Sequence, residues 1–485
     1  MGIVIAQSFK NTVTTYTGFV IGAINTLFLY TEFLSDEYYG LVGYVLSTAN
    51  IMMPLMAFGV HNTLVKFYST FKTRVSVNSF LTLMLFLPLL IIIPVSLIGY
   101  TAYGTIADFL AKENPIIKGY LWHIIITAAA LAYFEVFFAW AKVQMQTVFG
   151  NFMKEVFHRV GVTVLLFCVF YNFIDVHQFI QGLVGVYVIR MLVMMLYGFS
   201  IKLPLITLKR VPGLHDILKY SSLIILAGSI ATIFLDIDKF MLGFYIPIEE
   251  VAYYNVAIFI ATVIAVPQRS MHQILLPLSA ELLNNKDYKG LKELYQKSSL
   301  NLFIVSGFIF LLIVLNINQL YEIIPEEFSY GIFVVFVISL AKLYDAILGN
   351  NNAILFNSDY YRVVLMLGLV LVLITIVLNI VFIPLYGLNG AAFATFLAIF
   401  IYNTIKLIFI KKKFSMLPFS NATFKVGGVI ILSFVLFYFW DFSFNPILNI
   451  IIKSVLIAAL YGFIVYYFKF SEDVSKIINR ILNRN

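Results

Sequence analysis

Apolar stretches of about twenty residues recur along the chain, at 11–31, 39–60, 78–100, 119–141, 157–174, 179–200, 219–245, 251–272, 298–317, 330–350, 361–383, 389–410, 422–440 and 446–468. At ~1.5 Å of rise per residue, each is long enough to cross a hydrocarbon core of ~30 Å as a helix. A strand alone in lipid would leave its backbone N–H and C=O groups without partners, so helices are expected. The pattern predicts an all-α integral membrane protein of about fourteen transmembrane helices.

Charge in the short connections orients these spans. The N-terminus and every even-numbered connection hold most of the 32 lysines and arginines, among them Lys66, Lys72, Arg74, Lys202, Lys209, Arg210 and Lys411 to Lys413. The opposite side has Lys112, Lys118 and Lys453, and it collects Glu32, Asp36, Glu37, Glu249, Glu250, Glu322, Glu326 and Glu327. The positive-inside rule makes the basic side cytoplasmic, with both termini inside and an even number of crossings. The net charge of +8 therefore points to anionic lipid as the partner and not to nucleic acid. Cys168 is the single cysteine and has no intramolecular disulfide partner. The first apolar segment reads as a true span, not a cleavable signal.

The connections leave no room for a separate folded domain. There is no GxxxxGK[ST], HExxH or GxSxG motif and no paired Cys or His at metal spacing, so no nucleotide site, metal or cofactor is expected. Transport is the leading class, ahead of enzymatic chemistry. Two segments outside the spans have a helical period of their own. One has Leu282, Leu283, Leu291, Leu294 and Tyr295 among lysines. The other is the tail, with Val474, Ile477, Ile478, Ile481 and Leu482 opposite Lys476, Arg480 and Arg484. The tail helix is expected in the inner-leaflet interface or packed on the ends of the bundle.

Two acidic turns look related. The first outer turn, Ser35-Asp36-Glu37-Tyr38-Tyr39-Gly40, is matched six spans later by Pro247-Ile248-Glu249-Glu250-Val251-Ala252-Tyr253-Tyr254-Asn255. In each, carboxylates open the next helix, where its dipole favours negative charge. An even number of spans between them implies a parallel repeat.

The first of these turns, the phrase Phe58-Gly59-Val60-His61-Asn62-Thr63-Leu64-Val65-Lys66-Phe67-Tyr68 and the turn Ile383-Pro384-Leu385-Tyr386-Gly387-Leu388-Asn389-Gly390-Ala391-Ala392-Phe393-Ala394-Thr395 resemble the polysaccharide-transporter family. That family includes the O-antigen repeat-unit flippases of the multidrug/oligosaccharidyl-lipid/polysaccharide exporter superfamily. The resemblance implies two six-helix lobes around a central cavity, spans 1–6 in 1–210 and spans 7–12 in 211–415. An extra helix pair follows in 416–470 and a cytoplasmic amphipathic tail in 471–485. It further implies a bacterial inner-membrane flippase that moves lipid-pyrophosphate-linked glycans outward by alternating access. Its partners would be the lipid-linked glycan, membrane lipids and polysaccharide assembly proteins.

Charged side chains inside spans cost about 2.5–3.5 kcal/mol each on insertion scales if they face lipid, so they should face a cavity or one another. The basic candidates for substrate binding are Arg190, Lys342, Lys239 and Arg269; the acidic candidates for ion coupling are Glu135, Asp236, Asp238 and Asp345. Asp236 with Lys239 and Lys342 with Asp345 are spaced to share a helix face, so a structural ion pair is the competing reading of each. Glu135 is the competing partner for Arg190, and snorkelling to inner-leaflet phosphates competes for Arg269 beside His272. Asn25, Asn50 and Asn350 to Asn352 suit helix–helix hydrogen bonds or a sugar path. Gly18 and Gly22 suit a close helix crossing, and Pro54, Pro94 and Pro267 suit bends. Because these acids outnumber the bases at mid-span, a cation-coupled multidrug extruder of the same superfamily ranks second. A membrane glycan polymerase or acyltransferase ranks third.

Overall fold

The computed structural model describes residues 2–207, 209–442 and 445–481. Among them every regular element is a helix, and twelve helices are long and apolar enough to cross a membrane. One of these, Tyr361–Phe414, is two helices joined at Gly387, whose φ of 57° and ψ of −137° break the spiral. Three residues on, a Cβ at Gly390 would lie 2.0 Å from the Phe382 carbonyl oxygen. The glycines of the Pro384–Thr395 signature are thus required by the hairpin between spans 11 and 12. The fifth segment forms Val148–Phe152, a π-helical turn Met153–Phe157, and His158–Phe170. With it, all fourteen sequence segments are helical.

The chain divides into two units, Met1–Asn255 and Val256–Asn485. In the first unit the fourth span, Leu121–Lys142, packs against Val176–Ile201 and Asp36–Met56. Its sequence explains why it is central: Phe134, Val136, Phe137, Phe138, Ala139 and Trp140 are all buried, whereas Arg74–Thr101 keeps most of its apolar surface outward. The close crossing expected at Gly18 and Gly22 is present. A Cβ at Gly18 would sit 2.3 Å from the Glu155 carbonyl oxygen, and one at Gly22 would sit 3.0 Å from Arg159 Nε. Asn25 serves helix–helix bonding, donating to the Arg159 carbonyl at 3.0 Å and accepting from Thr163 at 2.8 Å.

Helix breaks fall near Pro54 and Pro267, whereas Pro94 lies inside the unbroken helix Leu89–Thr101. Span 2 stops two residues after Pro54, and Phe58 and Gly59 take left-handed φ values. Pro267 opens the helix Val266–Asn284 directly after a 3-10 turn at Val263–Ala265. The two related acidic turns meet within this first unit. Tyr253 Oη donates to Asp36 Oδ2 at 2.7 Å, and Gly40 lies so close to the Ile248 carbonyl that no Cβ fits there.

In the second unit Tyr288–Leu315 packs on Ile332–Ile347 and Asn421–Tyr438, around Phe303, Leu311, Ile430 and Tyr461. The extra helix pair is held at one end by charge. Lys453, 2% exposed, pairs with Asp441 at 3.0 Å, and Gln319 donates to the same carboxylate at 2.7 Å. The expected helical period around Leu291 and Tyr295 is the first part of Tyr288–Leu315. Its apolar face packs on Ile354, Leu355 and Ile410 and leaves the lysines exposed.

The tail helix Glu472–Ile481 packs on the bundle. Asn301 donates to Asp473 at 2.8 Å, Tyr466 donates to Asn479 at 2.7 Å, and Val474 joins the core. Leu482 and Arg484, and the side chains of Ile477, Ile478, Arg480 and Ile481, lie outside the described set.

Candidate functional site

Helix Val176–Ile201 opens with a capping box in which Asp175 accepts from the Gln178 N–H at 2.7 Å and Gln178 reaches back at 3.0 Å. In the same helix Arg190, 5% exposed, is buried against the fourth span. Its guanidinium carbon lies 4.2 Å from the Phe134 ring centroid and 4.9 Å from that of Tyr187. Nε has no hydrogen-bond partner. Among the described residues no carboxylate stands within ion-pair distance of it. Glu135, the competing partner read from sequence, is bound instead by Lys154 at 2.6 Å.

Lys154 is one of three further cations on this face of the first unit, with Arg159 and Lys142. Arg159 Nη1 pairs with Glu155 at 3.3 Å one turn away and donates to the Glu155 carbonyl at 2.6 Å. Lys142 Nζ stands 3.9 Å over the Phe138 ring. The His158 ring lies 5.7 Å from that of Tyr187. The group therefore holds Lys142, Lys154, Arg159 and Arg190 against Glu135 and Glu155, a cationic balance. Sequence reasoning missed the first three: Lys142 and Lys154 fall in the connection between the fourth and fifth apolar stretches, and Arg159, inside the fifth, was passed over near its start. The helix in fact begins at Val148, and the π-turn at Met153–Phe157 carries Lys154 into it. The Glu155/Arg159 spacing was the available signal.

The other charges named from sequence have protein partners of differing kinds. Asp236 is paired with Lys239 at 3.3 Å, and Asp238, buried, accepts from Tyr254 at 2.6 Å. Asp345 accepts from Asn403 at 2.9 Å and is in no ion pair among the described residues. Lys342 is half-buried in the same helix, and Arg269 is exposed on Val266–Asn284, which fits snorkelling. A buried cation that sequence reasoning passed over is Lys406, on the twelfth span. It is 0% exposed, donates to Asn352 at 2.9 Å and lies 4.1 Å over the Tyr402 ring. Asn350, its neighbour in the asparagine run, donates to Ser279, so the run ties helices together. Among the described residues no group of three or more His, Cys, Asp or Glu is placed to hold a metal ion.

A family model described as polysaccharide biosynthesis protein matches residues 5–283, more than half of the chain. The chain belongs to that family. The fold of this family member is similar to that of the lipid II flippase MurJ in an inward closed conformation, with a TM-score of 0.74 at 15% identity over 95% of this chain and 99% of that one. It is also similar to a multidrug resistance MATE family transporter of the MOP superfamily. The inward-facing form of that class gives a TM-score of 0.64 at 13% identity over 82% of this chain and 94% of that one. The outward-facing form gives 0.55 at 14% identity over 84% and 95%. No curated protein sequence matches the chain. The polysaccharide biosynthesis family member is thus a multi-pass membrane protein with the transporter fold that its motifs suggested.

Proposed function

We propose that the protein is a flippase that moves lipid-pyrophosphate-linked oligosaccharide or polysaccharide repeat units from the inner to the outer leaflet by alternating access. Arg190 is the observation that carries this reading. A buried guanidinium with two aromatic faces and no carboxylate keeps its bidentate donor capacity for an anion. Family membership and the fold shared with a lipid II flippase support the same assignment. The cationic balance around Arg190 favours an anionic headgroup over the cationic drugs of the second reading, the extruder. Lys154 and Arg159 would assist on the same face, and Lys342, Lys239 and Arg269 remain the other candidate contacts.

Ion coupling falls to the acids. Glu135 and Asp236 are already neutralised by lysines, so Asp345 is the acid best placed to exchange an ion. In this reading the protein lies in the bacterial inner membrane with both termini cytoplasmic and works beside polysaccharide assembly proteins. It comprises lobes 1–210 and 211–415, the helix pair 416–470 and the tail 471–485.

Complementation of a flippase-deficient strain tests the assignment. Arg190→Gln should abolish surface polysaccharide at normal membrane abundance, and Arg190→Lys should retain part of it. Full activity of Arg190→Gln would remove the substrate role.

A further inference from the structure

The second unit carries a cavity of about 550 Å³ on its lysine-rich side, formed where the connections after spans 8 and 10 meet the end of span 12. Its lining includes Asn284, Tyr288, Asp359, Tyr360, Lys413 and Phe414. The site is pre-formed. Beneath it Leu282, Leu283, Ile354, Ile410 and Met416 make a packed core, and the left-handed turn at Ser415 (φ 54°) ends the helix at Phe414. The volume falls in the range of small-molecule sites (~300–1,000 Å³) and is larger than a lone phosphate needs.

The charges of the lining define the ligand. One cation, Lys413, and one anion, Asp359, face the same cavity, both exposed. Among the described residues neither is held in an ion pair. Lys413 stands over the Tyr360 ring at 5.4 Å, and Tyr288 adds a second aromatic surface. A simple anion would be served by Lys413 alone and repelled by Asp359. A ligand with a phosphate at one end and an ammonium at the other satisfies both, with the Tyr288 ring supplementing the carboxylate by cation–π attraction. Lys413 and Tyr360 lie just outside the apolar spans 12 (389–410) and 11 (361–383), and a span that fills a hydrocarbon core of ~30 Å brings its ends to the headgroups. We propose that this cavity binds an aminoalkyl phosphate, supplied by the headgroup of phosphatidylethanolamine in the adjoining leaflet.

The full chain in detergent can be titrated with phosphatidylethanolamine, phosphatidylglycerol or phosphatidylcholine while its thermal midpoint is followed, since a ligand of the folded state raises that midpoint. Phosphatidylethanolamine should stabilise saturably and at lower concentration than the other two. Asp359→Asn and Lys413→Gln should each raise its half-saturating concentration about fivefold, the worth of one exposed ion pair, and Lys413→Arg should restore it. Both variants lie on the surface, and their lipid-free midpoints report folding separately. Equal or tighter response to phosphatidylglycerol or to phosphatidylcholine would overturn the proposal, as would unchanged affinity in both variants. Soluble O-phosphoethanolamine should act only at far higher concentration, and equal potency would overturn the assignment to a membrane lipid.

Discussion

Replacing Arg190 by methionine separates function from folding. The substitution keeps much of the side chain's length and removes the charge. Two cation–π contacts, to Phe134 at 4.2 Å and Tyr187 at 4.9 Å, would be lost at about 0.5–2 kcal/mol each. Against this, the folded protein no longer holds an unpaired charge within the membrane region, a cost of about 2.5–3.5 kcal/mol on insertion scales. These terms nearly cancel, so Arg190→Met should unfold within about 1–2 kcal/mol of the parent. Had Glu135 been the partner, the same substitution would strand a buried carboxylate and cost about 3–5 kcal/mol; the structure gives Glu135 to Lys154. Denaturant unfolding in mixed micelles measures the difference, alongside surface polysaccharide in complemented cells. A loss of more than about 3 kcal/mol, repaired by also removing Glu135, would make the arginine a structural partner of that carboxylate and not a substrate contact.

The pair between Lys453 and Asp441 should respond asymmetrically. Asp441→Ala leaves an ammonium buried and should destabilise by about 3 kcal/mol, whereas Lys453→Met leaves a half-exposed carboxylate in water and should be near neutral; thermal unfolding of the two variants checks this. Gly18→Leu should break the crossing with the fifth span, where no Cβ fits beside the Glu155 carbonyl, and cost at least about 1–3 kcal/mol by overpacking. In a Cys168→Ser background, an impermeant thiol reagent on whole cells should label Glu326→Cys and spare Lys412→Cys; the reverse pattern inverts the topology. Asp345→Asn should fold normally and lose the acceleration of flipping by an imposed ion gradient. Undiminished acceleration would move the coupling site elsewhere.

The fourteen segments were legible because lipid demands both length and apolarity, and no other element satisfies the backbone there. The Gly387 hairpin and the Gly18–Gly22 crossing were legible for a related reason: each needs a residue without a Cβ. What the sequence concealed was partner choice. Asp236 and Lys239 do pair as their spacing suggested, while Asp345, at the same spacing from Lys342, takes Asn403. Local period fixes which face a side chain occupies, but packing between helices decides what meets it. Lys154 escaped notice because a π-turn extends the fifth helix beyond its apolar stretch, and Lys142 because it is the last residue of the fourth-span helix, one past its apolar stretch. Lys406 escaped because its proximity to the lysine cluster at 411–413 hid a wholly buried position.

Reconstituted flipping would show whether the chain itself moves a lipid-linked glycan across the bilayer. Proteoliposomes carrying the purified chain would be loaded with a fluorescent polyprenyl-diphosphate sugar, and the fraction reaching the opposite leaflet would be followed by membrane-impermeant quenching. Translocation should depend on the protein, fall to the protein-free rate in Arg190→Gln and return in part in Arg190→Lys. Failure of the parent protein to move the diphosphate lipid, together with gradient-driven expulsion of a cationic dye, would contradict the flippase assignment and establish the extruder.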